Sequence, residues 1–247
     1  KRDGPPRRSA FLALLTVAAF LVGCSREASQ PSSPSPVVPT TESGAAIPPE
    51  ESAMRALLGF VPDTPEYRRR VEFGDYEKAR FLLGVGLPPA NSSNEEVTSY
   101  VERLQSAGLE APIMEHLPGW EPMWGYSMLN GRQELNAYGE AGAIRVLRGG
   151  FDESKVWPAL QARGYERQSY LDATIISFGA DFEPKSSEPP GSEAKHRIGV
   201  LEGHLIMSAS MDNVKRAIET SNKGGDSLAQ NQDFVALAGA LEKANVY

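Results

Sequence analysis

His116, His196 and His204 are the three imidazoles of the 247-residue chain, and Cys24 is its one thiol. Those four side chains bound the metal and nucleophile chemistry open to it. A zinc site calls for closely spaced ligands, such as His-Glu-x-x-His on one helix face or paired Cys-x-x-Cys. Here the histidines do not stand at helical spacing, and no second cysteine completes a Cys/His set. His196 and His204 flank one expected hairpin, which is the one conceivable metal clip. His204 lies beside Gly203 in the turn and His196 ends a polar stretch, so solvated histidines are the simpler expectation. No metal and no cofactor is implied.

An activated serine needs a Gly-x-Ser-x-Gly elbow, or a Ser/His/Asp set meeting in space. The elbow motif is missing, and Ser210 in "LIMSASMDN" has a simpler use as the cap of a following helix. Gly149-Gly150 and Gly224-Gly225 form no phosphate-cradling loop and read as turns. Glu110, Glu115 and Glu121 gather around "HLPGWEPMWGY". Two of them facing each other beside indoles would be the layout of a glycosidase. Trp120, Met123, Trp124 and Tyr126 make this the most aromatic part of the chain. Such rings either fill a core or line a binding surface. Two prolines and two glycines in the stretch favour a rigid loop laid against a sheet, with the rings as packing. The sharper alternative is a small apolar or glycan ligand anchored by Trp120, Trp124 and Tyr126. A third possibility, an envelope hydrolase, requires the histidines or a carboxylate pair to converge in a cleft.

Cys24 stands directly behind the longest apolar run, Phe11 to Val22, about a dozen residues. That run is too short for the roughly 20 residues a membrane-spanning helix needs. Lys1, Arg2, Arg7 and Arg8 precede it. Basic flank, short apolar core and small residues make the layout of an export signal. Its last four residues, Leu21-Val22-Gly23-Cys24, resemble the lipobox of bacterial lipoproteins. The resemblance implies a diacylglyceryl group on the Cys24 sulfur and cleavage between Gly23 and Cys24. It thus implies attachment to the cell membrane or outer membrane, facing the extracytoplasmic side. One acyl chain such as palmitate holds a protein only marginally, whereas two or more hold it stably. Ser25, not Asp, follows the cysteine, which resembles the pattern sorted to the outer membrane in two-membrane bacteria. With no further cysteine the folded part has no internal disulfide and relies on its core.

Residues 24–50 are rich in Pro, Ser and Thr and show no apolar period. Such a segment cannot bury enough surface to offset its ordering entropy, so a solvated linker is expected. At roughly 3.1 Å per residue where proline-rich, it would hold a domain tens of ångströms from the bilayer. Loss of residues 1–23 removes Lys1, Arg2, Arg7, Arg8 and Asp3, taking the formal net charge from −7 to −10. That balance argues against nucleic acid as a partner. The domain expected over 51–247 is large enough for one core or two small lobes. Asn245-Val246-Tyr247 reads as the start of a strand, so the natural chain is expected to continue.

Within this domain, Val97, Tyr100, Val101 and Leu104 share one helix face, with Asn94 or Ser92 as cap and Gly108 beyond the end. A strand and a helix from about Asp75 to Leu83 precede it. Ile144 and Val146 alternate as a strand. Val156, Trp157 and Leu160 mark a helix, with Ser154 preferred over Asp152 as its cap so that Pro158 lies near the first turn. Two strands, a polar interruption, a hairpin turning at Glu202-Gly203 and two helices follow, the last with Phe234, Leu237 and Leu241 on one face. The sum is α+β, an antiparallel sheet with helices packed on one face.

Pro62-Asp63-Thr64 after a short apolar helix, then "FDESKVWPALQARGYERQSYLDATIISF", "HLIMSASMDNVKRAIE" and "SLAQNQDFVALAGAL", together resemble a group of membrane-tethered extracytoplasmic proteins of unknown function. The resemblance implies the same order of elements and supplies no catalytic residue. The expectation is a lipid-anchored envelope protein with a non-enzymatic binding or assembly role, its partner an envelope protein or small ligand.

Overall fold

The computed structural model describes residues 52–109, 111–149, 151–183, 195–223 and 226–244. Gly23, Cys24, the linker, Glu110, Gly150, Gly224-Gly225 and the terminal Asn245-Val246-Tyr247 lie outside the described residues.

Seven antiparallel strands make one sheet. In chain order they are β1 (Val71–Asp75), β2 (Gln133–Gly139), β3 (Gly142–Arg148), β4 (Glu166–Tyr170), β5 (Ala173–Ser177), β6 (Arg197–Leu201) and β7 (His204–Ser208). Their spatial order is β1-β2-β3-β7-β6-β5-β4. A first meander, β1 to β3, runs inward. The chain then crosses to the far edge and returns through β4 to β7, so that β3 and β7 pair at the centre. The α+β class with an antiparallel sheet is what the sequence led us to expect. The alternative of two lobes gives way to a single continuous sheet.

The layering is fuller than one face. Leu147, Leu205, Met207, Ile176 and Ile198 pack against α2 (Tyr76–Leu83), α3 (Asn94–Ser106), α5 (Trp120–Trp124) and α6 (Glu153–Gln161). Strand residues of opposite parity, Leu135, Ala137, Ile144, Val146, Ile175 and Ile206, pack against α1 (Ala53–Leu58), α7 (Met211–Lys223) and α8 (Gln232–Lys243). Strands buried on both sides need apolar residues at consecutive positions. Val146-Leu147 and Leu205-Ile206-Met207 supply them. On the second side Gly199 lets α7 settle onto β6, since a Cβ there would meet Val214 Cγ1 at 3.1 Å and Ile218 Cδ1 at 3.2 Å.

Helix ends follow local chemistry, with corrections to the expected caps. Ser93, between the two residues expected, caps α3 in a reciprocal box with Glu96. Asp152 caps α6 by accepting from Ser154 N, which leaves Pro158 inside the helix. It forgoes one backbone bond there. The aromatic stretch expected as a loop forms the one-turn α5, closed by Gly125 in the left-handed region at φ 74°. Strand β2 was not anticipated, because its alternation is short and polar. Among the described residues no helix is long and apolar enough to cross a membrane.

Candidate functional site

On the first face of the sheet, Asn136 of β2 stands opposite Arg145 of β3, and Glu134 lies diagonally beside them. Between them and the helices sits a closed ionic cluster. The short helix α4 (Ile113–His116) brings Glu115 onto the sheet. Arg145 Nη1 donates to Glu115 Oε1 at 2.8 Å, and Arg145 Nε donates to Glu134 Oε1 at 2.8 Å. Glu115 Oε2 lies 2.7 Å from Nη1 without alignment to an N–H, so it is ion-paired but not hydrogen-bonded. Lys195, just before β6, reaches Glu115 Oε1 at 3.2 Å. The hydroxyl of Tyr76 and the amide of Asn136 donate to Glu134 at 2.9 and 2.7 Å. Two cations and two carboxylates thus compensate one another.

Burial pushes the Glu115 carboxyl up, but Arg145 and Lys195 beside it more than reverse this and hold it below the ordinary range. Burial would release the Arg145 proton, yet Glu134 and Glu115 hold it firmly. His116 is fully buried, and desolvation lowers its pKa although Nδ1 sits 2.9 Å from the Pro112 carbonyl. The Tyr126 hydroxyl is driven well up by burial and then by Glu115, against the pull of Arg145. Among the described residues, His116 Nε2, Trp120 Nε1, Tyr126 OH and Arg145 Nη2 have no hydrogen-bond partner.

Trp120, Trp124 and Tyr126 were candidate anchors for a ligand in an open concavity. All three are buried, so the correction is to core. The two indoles stack at 5.2 Å between centroids, and Tyr126 meets Trp120 edge-on at 6.1 Å. Gly125 permits this, because a Cβ there would lie 2.3 Å from Val156 Cα. The outer side of Trp124 is closed by Arg163, whose guanidinium lies 4.3 Å above its ring.

The histidines also need correction, since they are not solvated side chains. His196 is buried edge-on against Tyr165 and Phe178, with Nδ1 2.8 Å from the Glu183 carbonyl. His204 is half-buried against Phe60, with ring centroids 4.8 Å apart. Imidazoles that pack against aromatic rings as core give no signal of this in the sequence. Among the described residues, no group of three or more His, Cys, Asp or Glu is placed to hold a metal. Glu121 points outward to Lys155 at 3.1 Å and does not face Glu115 across a cleft. The first N–H of α7 goes to Asp181, whose carboxylate accepts from Met211 N at 3.1 Å. Asp181 also pairs with Arg197 at 3.0 Å, fastening the loop after β5 to both β6 and α7.

Arg145, Glu134 and Lys195 escaped sequence reasoning. The only trace of the first two is polar alternation in "QELNAYG" and "GAIRVLR", which reads equally well as a solvent-facing side. Fold and site together define an α+β domain with one sheet between two helical layers and a polar centre sealed inside. Compared with known protein families, curated proteins and solved structures, the chain matches none.

Proposed function

We propose that the chain is a lipid-anchored protein of the cell envelope that acts by binding or assembly and not by catalysis. The observation that carries this is the order of its segments. A basic flank, a short apolar core and Leu21-Val22-Gly23-Cys24 lead into a proline- and serine-rich stretch, and the folded domain begins near Ser52. On this reading the acyl chains on Cys24 provide attachment, and the stretch up to residue 50 sets the reach. The internal ionic cluster supports the non-catalytic half. Its charges are mutually spent and closed to solvent, which suits fastening α4 and α5 to the sheet.

Fractionation of cells making Cys24→Ala tests it. The variant should leave the membrane fraction, and an inhibitor of the lipoprotein signal peptidase should leave a heavier precursor of the unsubstituted chain. Continued tight membrane association of Cys24→Ala would sink the proposal.

A further inference from the structure

At one end of the sheet, on the face covered by α1, α7 and α8, four polar residues stand side by side across four strands. Asp75 faces Gln133, Gln133 faces Arg148, and Arg148 faces His204. The row directly inward is Phe73, Leu135, Val146 and Ile206, all apolar and part of the second core. The step from an apolar to a polar row marks where that core ends. Above Asp75, Gln133 and Arg148 lies a hollow of about 510 Å³. That is within the range of small-ligand sites, roughly 300 to 1,000 Å³.

The chemistry of its lining is mixed in a particular way. The Arg148 side chain makes no hydrogen bond or ion pair with any described residue, which leaves its guanidinium fork to a carboxylate or phosphate. Arg132 stands beside it, held only loosely by Glu77 at 4.0 Å. Asp75, Glu77 and Glu242 share the same hollow. The formal sum over these two arginines and three carboxylates is −1. A doubly charged phosphate entering there would meet net repulsion. A carboxylate that carries its own cation would not. Gln133 is 7% exposed, and its Oε1 has no donor among the described residues. The apolar lining comes from Ala53 and Ala56, whose short side chains suit a small ligand body.

We infer that this hollow is a binding site for a small amphoteric ligand of the amino-acid or short-peptide class. The ligand carboxylate sits on Arg148 and Arg132, and its ammonium faces Glu77 and Glu242. The inference rests on the binding role proposed above but not on the anchor, so failure here leaves Cys24-dependent membrane association untouched.

Calorimetric titration of the purified full chain tests it. The probes are L-alanine, L-alanyl-L-alanine, the N-acetyl dipeptide without a cation, the dipeptide amide without an anion, and inorganic phosphate. Saturable binding of L-alanine or the free dipeptide is expected, with both blocked forms at least about tenfold weaker and phosphate no competitor. Arg148→Gln should weaken binding by a similar factor. So should Glu242→Gln, on an exposed helix surface where folding is not at stake, with its unfolding midpoint unchanged. No saturation by either free probe at millimolar concentration would overturn the site. Equal binding of the blocked forms, tighter binding of phosphate, or unchanged affinity in both variants would do the same.

Discussion

The two faces of the sheet are built on different terms. The face under α1, α7 and α8 is joined by aliphatic side chains at its centre, with buried polar groups toward the strand ends, Gln133 at one and Arg197, paired with Asp181, at the other. Tyr67 donates to Asn213 at 3.0 Å, and Asn213 donates onward to the Ala141 carbonyl at 2.9 Å. The face under α2 to α6 packs more large rings, yet holds a four-charge cluster at its centre. Among the described residues, the unpartnered buried side-chain atoms of Tyr100, Glu115, His116, Trp120, Tyr126 and Arg145 all belong to this side. Apolar burial is non-directional and forgiving, whereas a buried charge is tolerable only while its partner stays in place. One face therefore resists perturbation gradually, and the other depends on a few contacts.

The largest difference should appear when one member of the cluster is removed. Glu115→Ala strands Arg145 and Lys195 with one carboxylate between them. A cost of about 3–5 kcal/mol is expected in urea unfolding followed by circular dichroism. Arg145→Met alone should cost a similar amount, and the double variant clearly less than the sum, because each single change already breaks the shared pair. On the opposite face Leu135→Ala should cost about 2–5 kcal/mol through lost burial and the cavity left behind. Additive costs for Glu115 and Arg145 would erase the distinction between the faces.

Acid sharpens the same comparison with a smaller effect. Glu115 is held below its ordinary value of 4.5 and His116 below 6.5. For both, the unfolded chain binds protons more readily than the folded one, so stability is complete above the unfolded value and lost as pH falls through the folded one. The His116 contribution should begin to fade as pH drops below about 6.5, and that of Glu115 below about 4.5. Glu115→Gln should flatten the lower part of a plot of unfolding free energy against pH. Leu135→Ala should shift the whole curve without changing its shape. A parallel shift in both variants would show that the acid response arises elsewhere.

How much of this was legible depends on whether a feature is local. The α3 face, the strand at Ile144 and Val146, and the hairpin at Gly203 rest on periodicity and turn chemistry within a dozen residues, and they are where the sequence puts them. The ionic cluster draws on "IMEH", "QELNAYG", "GAIRVLR" and Lys195, segments brought together only by strand pairing and by the seating of α4 on the sheet. The polar row from Asp75 to His204 is likewise a property of register. Trp120 and Trp124 were ambiguous for a different reason: a ring dense enough to bind a ligand is equally fit to fill a core, and the left-handed turn at Gly125 tips it inward. Helical cover was expected on one face, although Val146-Leu147 and Leu205-Ile206-Met207, apolar at consecutive positions, carry the local mark of a sheet buried on both.

Helix α8 carries the smallest test. Phe234, Leu237 and Leu241 were expected to share a buried face, but Leu237 is 49% exposed while Phe234, Ala238 and Leu241 turn toward the second core. The spacing explains it. Positions 234, 238 and 241 follow the i, i+4, i+7 stripe of a narrow contact, and 237 lies at its edge. Leu237→Lys should therefore change stability by no more than about 0.5 kcal/mol, as exposed substitutions usually do. Ala238→Leu, pressing extra methyl groups into the close-packed side of the same helix, should cost about 1–3 kcal/mol. The two variants differ by one position in sequence, so their unfolding midpoints compare the solvent and core sides of one turn. A loss from Leu237→Lys as large as that from Ala238→Leu would mean that α8 is rotated and that the apolar face extends further outward than the aliphatic core requires.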